Sequence, residues 1–205
     1  MSLKSQFSES ALVEAGCDEA GRGCLAGPLF AAAVIFPFNY INDQLNDSKQ
    51  LSKKKREALR ETIMKDAVSY AVVSILETVI DEINILNASF RSMNLAVKEL
   101  KTQPELLLID GNRFKNETII PHHCIVKGDA KYLSIAAASI LAKTFRDDFM
   151  EKLDAEFPMY GWKQNKGYPT KEHQDALQKF GRSPYHRKTF HVKGQLNLFH
   201  TNNNT

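Results

Sequence analysis

The sequence lacks the marks of a disulfide-stabilised or zinc-binding protein. It has only three cysteines, Cys17, Cys24 and Cys124, and no two of them form a C-x-x-C pair. This odd number argues against a disulfide framework, and the spacing argues against a structural zinc site. Reduced thiols in a reducing compartment are the simplest account.

Long apolar segments are also missing. The longest run, residues 29–36, is far too short to span a bilayer, and residues 1–10 lack the apolar core of a signal peptide. A length of 205 residues with 43% hydrophobic and 25% charged content is typical of one globular domain. We therefore expect a cytoplasmic protein, with one domain over residues 1–193 and a flexible tail over residues 194–205.

The net charge is only +3, but it is unevenly distributed. Residues 160–193 carry eight Lys and Arg against Glu172 and Asp175. Aromatic residues are interleaved with these cations: Tyr160, Trp162, Tyr168, Phe180, Tyr185 and Phe190. The pattern is typical of a surface that binds a polyanion, although an ordinary solvated basic face has the same composition.

Hydrophobic periodicity predicts a domain that mixes strands and helices. The predicted strands cover residues 13–17, 29–36, 67–76, 106–109 and 119–126, the last at a sheet edge because it contains Pro121. The predicted helices cover residues 53–65, 81–100, 134–157 and 170–179, with Ser52 and Thr170 as N-caps. We expect an α/β fold with a central mixed sheet flanked by helices and a small helical C-terminal extension.

Carboxylates follow the apolar strands at several points. Asp18 and Glu19 follow the first strand, Asp110 ends the most apolar one, and Asp129 follows the next. Because strand ends meet at one sheet edge, we expect these four side chains to converge. Asp18 and Glu19 are neighbours and should point to opposite faces, so a shared site requires a bend or bulge.

Such an oxygen-rich set, without thiols, suits Mg²⁺ or Mn²⁺. Two ions held together activate a water and stabilise the leaving oxygen in displacement at phosphorus. The sequence contains no Ser-His-Asp arrangement and no phosphate loop of the G-x-x-x-x-G-K-[ST] type, and its six histidines fit solvated or structural roles. A solvated turn at Asp18 and Glu19, or a helix N-terminus at Asp129, is the alternative for each carboxylate alone.

Candidate phosphate and sugar contacts lie near these acids. The Gly21-Arg22-Gly23 turn allows close backbone approach, and Ser139, Lys143 and Arg146 recur at i, i+4 and i+7 on one helix stripe. Lys49 is a further cation, in a polar loop. Ordinary surface exposure explains these cations about as well as phosphate binding does.

Taken together, these motifs closely resemble the ribonuclease HII family over about residues 13–187. The landmarks occur in chain order: Asp18-Glu19-Ala20-Gly21-Arg22-Gly23, Asp47-Ser48-Lys49-Gln50-Leu51-Ser52, Leu108-Ile109-Asp110-Gly111, Lys127-Gly128-Asp129, Ala136 to Lys143, Lys166-Gly167-Tyr168 and His186-Arg187. Each is weak alone, but the ordered set is highly specific.

The resemblance implies an RNase H-like fold and an endonuclease that acts on RNA paired with DNA. Incision would fall 5′ of a ribonucleotide, including a single one embedded in duplex DNA, and would leave a 3′-hydroxyl and a 5′-phosphate. A monomer is expected.

The resemblance also implies residue roles. The metal-binding catalytic residues would be Asp18, Glu19, Asp110 and Asp129, with two Mg²⁺ or Mn²⁺ ions. The substrate contacts would be Gly21, Arg22 and Gly23 on the 2′-hydroxyl, Tyr168 stacked on the next sugar, and Lys49, Ser139, Lys143 and Arg146 on phosphates.

The segment Gly194-Gln195-Leu196-Asn197-Leu198-Phe199 resembles the short peptide that docks DNA-processing proteins on a bacterial sliding clamp. An extended peptide would bury Leu196, Leu198 and Phe199 in a groove while Gln195 fixes the register. Packing of these residues on their own domain is the alternative.

Two other functions compete with this interpretation. Another nuclease or strand-transfer enzyme of the same fold would share the acidic site without needing to read a 2′-hydroxyl. A non-catalytic module that binds hybrids or a clamp would not need four intact acids. Ribonuclease HIII, a relative with an added N-terminal domain, is disfavoured because only a short segment precedes Asp18.

Overall fold

The computed structural model describes residues 3–45 and 52–191. The predictions for Lys49, for the tail and for the clamp peptide at Gln195, Leu196, Leu198 and Phe199 lie outside these residues.

A mixed five-stranded sheet forms the centre of the fold, in the order β3-β2-β1-β4-β5. The strands are β1 (Glu14–Ala20), β2 (Leu29–Ile35), β3 (Ser69–Ile75), β4 (Leu106–Asp110) and β5 (His122–Ile125). β2 is antiparallel to both β1 and β3, whereas β1, β4 and β5 run parallel to one another. The carboxyl ends of β1, β4 and β5 therefore lie at one edge, as the α/β prediction requires.

Helices cover both faces of this sheet. They are α1 (Lys53–Asp66), α2 (Glu77–Lys98), α3 (Leu133–Glu156), α4 (Trp162–Asn165) and α5 (Lys171–Phe180). On one face, α2 packs on Ala15 and Cys17 of β1; on the other, α3 and α1 pack on Ala20. The structure confirms the predicted mixed sheet between helices and the small helical C-terminal extension.

Local sequence signals set several helix ends. The hydroxyls of Ser52 and Thr170 accept the backbone N–H groups of Lys55 and His173, which confirms both predicted N-caps. The second helix begins at Glu77, four residues before its predicted start, and Asn84 interrupts it at φ 64°. The Asn84 Oδ1 accepts the amides of Leu86 and Asn87, so Asn84 caps the segment that carries the predicted apolar stripe.

The first strand continues further than predicted and contains no bulge. Asp18 pairs with Ala32 and Glu19 pairs with Ala31 in regular antiparallel register. The register excludes the bulge considered at Asp18 and Glu19, and their side chains point to opposite faces of the sheet, although both interact with Asp110 at its carboxyl edge.

The aromatic residues of the basic C-terminal segment, residues 160–193, are only partly exposed where the structure describes them. Tyr160 and Trp162 are buried in an apolar cluster with Leu25 and Met150, so these two aromatics are core residues. Tyr168 and Phe180 remain about half exposed.

All three cysteines are free thiols, as expected. Among the helices in residues 3–45 and 52–191, none combines the length and apolarity needed to cross a membrane.

Candidate active site

Three carboxylates meet at the edge where β1 and β4 end. Cys17 pairs with Ile109 in the parallel register, which puts the following residues, Asp18 and Asp110, side by side. Burial raises the pKa of Asp18 well above its ordinary value, and the neighbouring charges of Glu19 and Asp110 raise it further. Burial also raises the pKa of Glu19, with a further contribution from Asp110. Like charges are thus concentrated at this edge.

Each acid of β1 is supported from its own face of the sheet. Asp18 faces α3, where it is hydrogen-bonded by the Ser139 hydroxyl and feels the charge of Lys143. The Nζ of Lys143 donates to the Ser139 Oγ at 3.0 Å. A serine and a lysine one helical turn apart therefore orient Asp18 and offset its charge.

Glu19 faces α2 instead. The buried Ser89 hydroxyl hydrogen-bonds to it, and Arg22 Nη1 donates to its Oε1 at 3.2 Å. Sequence reasoning missed Ser89. Its signal was a polar residue three positions after Leu86, on the helix face where an apolar residue is expected.

The fourth carboxylate, Asp129, is connected to Asp110 by a hydrogen bond from the backbone of the preceding residue, Gly128. Asp129 is in a short 3₁₀ turn, Gly128–Ala130, and is 2% exposed. The Gly128 N–H donates to Asp110 Oδ1 at 2.7 Å. A Cβ on Gly128 would lie 2.6 Å from the terminal methyl of Ile135, so a larger residue here would require the Ile135 side chain to shift.

The carboxylates do not form a closed metal cage in this conformation. Within the described residues, no group of three or more His, Cys, Asp and Glu side chains has an arrangement that holds a metal ion. Asp18 Oδ1 accepts the Glu19 amide at 2.7 Å, just as Asp110 accepts Gly128. The donor set is nonetheless all oxygen, and the mutual repulsion of Asp18, Glu19 and Asp110 is what a hard divalent cation relieves. The residues present fit such an ion chemically.

The Gly21-Arg22-Gly23 turn follows β1 directly. Gly21 has φ +99°, a conformation that side chains rarely adopt, and its missing Cβ would lie 2.2 Å from Arg146 Nε. The Arg22 side chain is 53% exposed. Because Arg22 also contacts Glu19, the turn is joined directly to the carboxylate edge.

Tyr168 lies opposite this turn. A Cβ on Gly23 would meet only the Tyr168 ring, at 3.9 Å. The Tyr168 hydroxyl contacts the buried Cys24 thiol, and its carbonyl is hydrogen-bonded to His173 Nδ1 at 2.9 Å. The sequence elements predicted to read the sugar therefore lie next to each other.

Two predicted phosphate contacts require correction. Ser139 is fully buried, and Arg146 is only 2% exposed. Ser139 is used by Asp18 and Lys143, and Arg146 donates to three backbone carbonyls. Both are internal residues of the site. Lys143 is half-buried and remains a candidate for phosphate.

Comparison with known proteins gives a consistent result. The family model for Ribonuclease HII matches residues 15–193. Ribonuclease HII of Bacteroides fragilis is 63% identical over 190 residues, which are 92% of this chain and 94% of the relative.

Two solved structures are similar in fold. Ribonuclease H2 from Pyrococcus horikoshii OT3 matches with a TM-score of 0.73 and 27% identity, over 86% of this chain and 93% of that one. The RNase HII of a PCNA complex from Archaeoglobus fulgidus matches with a TM-score of 0.71 and 28% identity, over 90% of this chain and 98% of that one.

The sheet order, the flanking helices and these structural matches define an RNase H-like α/β nuclease fold. The chain belongs to the ribonuclease HII family. It is accordingly an endonuclease with ribonuclease H activity on RNA/DNA hybrids.

Proposed function

We propose that the protein is a divalent-metal-dependent endonuclease that also incises 5′ of single ribonucleotides embedded in duplex DNA, leaving a 3′-hydroxyl and a 5′-phosphate. The observation that carries this proposal is the 3.2 Å contact between Arg22 and Glu19. It connects the carboxylates to the turn suited to sensing a ribose, so phosphate chemistry and sugar recognition share one site.

We propose that Asp18, Glu19, Asp110 and Asp129 hold Mg²⁺ or Mn²⁺. The ions would supply activation of a water and stabilisation of the leaving oxygen. The protein's own contribution is orientation, since Ser139 positions the Asp18 carboxylate from α3 and Ser89 positions Glu19 from α2. Lys143 offsets part of the negative charge at Asp18.

Recognition of the ribonucleotide is proposed for the turn and for Tyr168. Backbone groups of Gly21, Arg22 and Gly23 would contact the 2′-hydroxyl, the one group that separates RNA from DNA. The Tyr168 ring lies 3.9 Å from the position that a Cβ on Gly23 would take, so the turn and Tyr168 could contact neighbouring sugars of one strand. The half-exposed Tyr168 ring would stack on the following sugar and favour deoxyribose there.

We further propose that Gln195, Leu196, Leu198 and Phe199 bind a sliding clamp. The support is the peptide pattern in the sequence and the structural match to an RNase HII solved in complex with PCNA. The test is clamp binding by the full-length protein and by a variant truncated after Lys193. Equal affinity of the two proteins would refute the proposal.

The central test uses a DNA duplex that carries one ribonucleotide, incubated with Mg²⁺ or with Mn²⁺. We expect a single 5′-side incision, and we expect Asp110→Asn to lower the rate by more than about 100-fold, because outer partners of metal sites already cost about 10- to 100-fold. Asp43→Asn, an exposed aspartate, is the matched control and should cut normally.

Two results would contradict the proposal. Undiminished cutting by Asp110→Asn would remove the carboxylates from the chemistry. Equal cutting of an all-DNA duplex would favour the competing nuclease of the same fold, which does not read the ribose.

A further inference from the structure

Two buried arginines are bonded to the backbone around the Gly-Arg-Gly turn and the Tyr168 loop. Arg146 is 2% exposed and Arg187 is fully buried. Burying a cation is costly unless its hydrogen bonds are satisfied, and burying two near each other adds repulsion. Their presence here therefore needs an explanation beyond filling space.

Arg146, on α3, ties three segments together through one guanidinium. Its Nε donates to the carbonyl of Pro28 at 3.0 Å and its Nη2 donates to Ala26 at 3.1 Å. Its Nη1 donates to Lys166 at 2.9 Å. The first two carbonyls belong to the segment that continues the Gly-Arg-Gly turn, and the third lies two residues before Tyr168.

Arg187 holds the same turn from the opposite direction. Its Nε and Nη2 both donate to the Gly27 carbonyl, at 3.1 and 2.8 Å. Its Nη1 donates to the carbonyl of Arg22, the central residue of the turn, at 3.0 Å. Arg187 thus fixes the backbone of the residue that contacts Glu19.

Backbone contacts close the remaining space between turn and loop. Leu25 N–H donates to Gly167 at 2.7 Å and Gly27 N–H donates to Tyr185 at 2.9 Å. A Cβ on Gly167 would lie 2.4 Å from the Ala26 carbonyl oxygen. The turn and the Tyr168 loop are therefore held at one separation, although neither belongs to a strand or helix.

We propose that Arg146 and Arg187 are positioning residues. Arg187 holds the Gly-Arg-Gly turn, Arg146 fixes the segment after that turn against the Tyr168 loop, and together they set how strictly the enzyme distinguishes sugars on the two sides of the incision. This inference rests on the proposed reading of ribose by the turn. A planar guanidinium with divergent N–H groups is required, because the point charge of lysine cannot reach carbonyls on separate segments.

The test uses Arg187→Lys and Arg146→Lys, which keep the positive charge and remove the divergent N–H donors of the guanidinium. Two duplexes of the same sequence are compared, one with a single ribonucleotide and one with a run of ribonucleotides. We expect the ratio of their kcat/KM values to change by about 10- to 100-fold in each variant, the size of effect that a misplacement of about 1 Å produces. Arg60→Lys, whose guanidinium instead contacts Phe145 and Asp148, should keep the wild-type ratio.

Gly23→Ala separates this inference from the proposed function, since Gly23 faces Tyr168 without contacting either arginine. If Gly23→Ala alters the ratio while both folded arginine variants leave it unchanged, the positioning role is wrong and the ribose reading stands. If Gly23→Ala also leaves the ratio unchanged, both the positioning role and the proposed reading of ribose are overturned.

Hydrogen exchange in the wild-type protein covers the case in which a lysine variant does not fold. The amides of Leu25 and Gly27 should exchange as slowly as those of β1. Rapid exchange at both would show that the turn is not held and would overturn the inference.

Discussion

The two sides of the site are built by different means. On the carboxylate side, Asp18, Glu19 and Asp110 extend from regular strands, and the strand register alone brings their like charges together. On the side proposed to read the ribose, here called the ribose side, the Gly-Arg-Gly turn and Tyr168 lie outside regular elements, and the guanidinium groups of Arg146 and Arg187 bond to their backbone segments. Regular strands fix the positions of the carboxylates even though their charges repel. The turn and the Tyr168 loop have no such support, so buried hydrogen-bond donors must fix their positions.

The largest expected effect breaks the carboxylate side. A Cβ on Gly16 would lie 2.3 Å from the backbone carbon of Ser134, where α3 rests on β1. Because backbone cannot move aside cheaply, Gly16→Ala should lower the free energy of unfolding by about 3 kcal/mol, measured by urea denaturation. Ser74→Ala, at an exposed position of β3, is the control. A loss as small as that of the control would contradict the packing described.

The next effect compares two glycines that both have positive φ. Gly21 has φ +99° with Arg146 in the space of its Cβ, whereas Gly111 has φ +120° and a Cβ there would have no atom of the described residues within 4 Å. Gly111→Ala should cost only the backbone strain, about 1 to 2 kcal/mol. Gly21→Ala should cost more and should also reduce cleavage, because Arg146 must shift. Equal losses of stability and activity in the two variants would show that Arg146 does not hold the turn.

A smaller effect comes from pH on the ribose side. His173 and His186 are buried with their Nε2 atoms 3.0 Å apart, and His173 also holds the Tyr168 carbonyl. Burial, and then the charge of His173, lowers the pKa of His186 to about 3 from 6.5. The unfolded chain therefore binds the extra proton first as the pH falls below 6.5. Stability should be full at pH 7 and should decline by about 1 kcal/mol per pH unit below 6.5, a loss of about 1.5 kcal/mol at pH 5.

Urea denaturation at pH 7, 6 and 5 measures this decline. A His186→Asn variant should show a flatter dependence than the wild type, whereas His123→Asn, at an exposed position, should not. Identical pH dependence in all three proteins would assign the decline to other groups.

The smallest effect tests a surface contact behind the Tyr168 loop. Glu151 accepts from Lys166 Nζ at 2.7 Å and also pairs with Lys53. Hydrogen bonds from Lys166 and Lys53 lower the pKa of Glu151 to about 2. Its contribution is thus present above pH 4.5, the ordinary pKa, and is lost as the pH falls through about 2.

Because such pairs are screened by water, Glu151→Gln should cost less than about 1 kcal/mol at pH 7 in thermal or urea unfolding. Glu61→Gln, at an exposed position of α1, is the matched control. A loss of several kcal/mol would show that this pair, rather than the arginines, holds the loop.

Sequence reasoning succeeded where local patterns carry the signal. The caps at Ser52 and Thr170, the strand that carries Asp18 and the strand that ends at Asp110 follow from side-chain chemistry and hydrophobic runs, and all were found. The regular register at Glu19 was not predicted, because the glycines downstream suggested a bulge that the strand does not need. Each acid instead has its own helix partner.

What the sequence by itself determined was the order of strands and helices, the acids at the strand ends and the family to which the chain belongs. Those features are local in the chain or lie in ordered motifs. Only the tertiary structure showed that Arg146 is buried under Gly21 and that Arg187 reaches the Arg22 carbonyl, 165 residues away in sequence. The reason is physical: a guanidinium reads as a surface cation in any sequence pattern, and only packing of distant segments decides which carbonyls surround it.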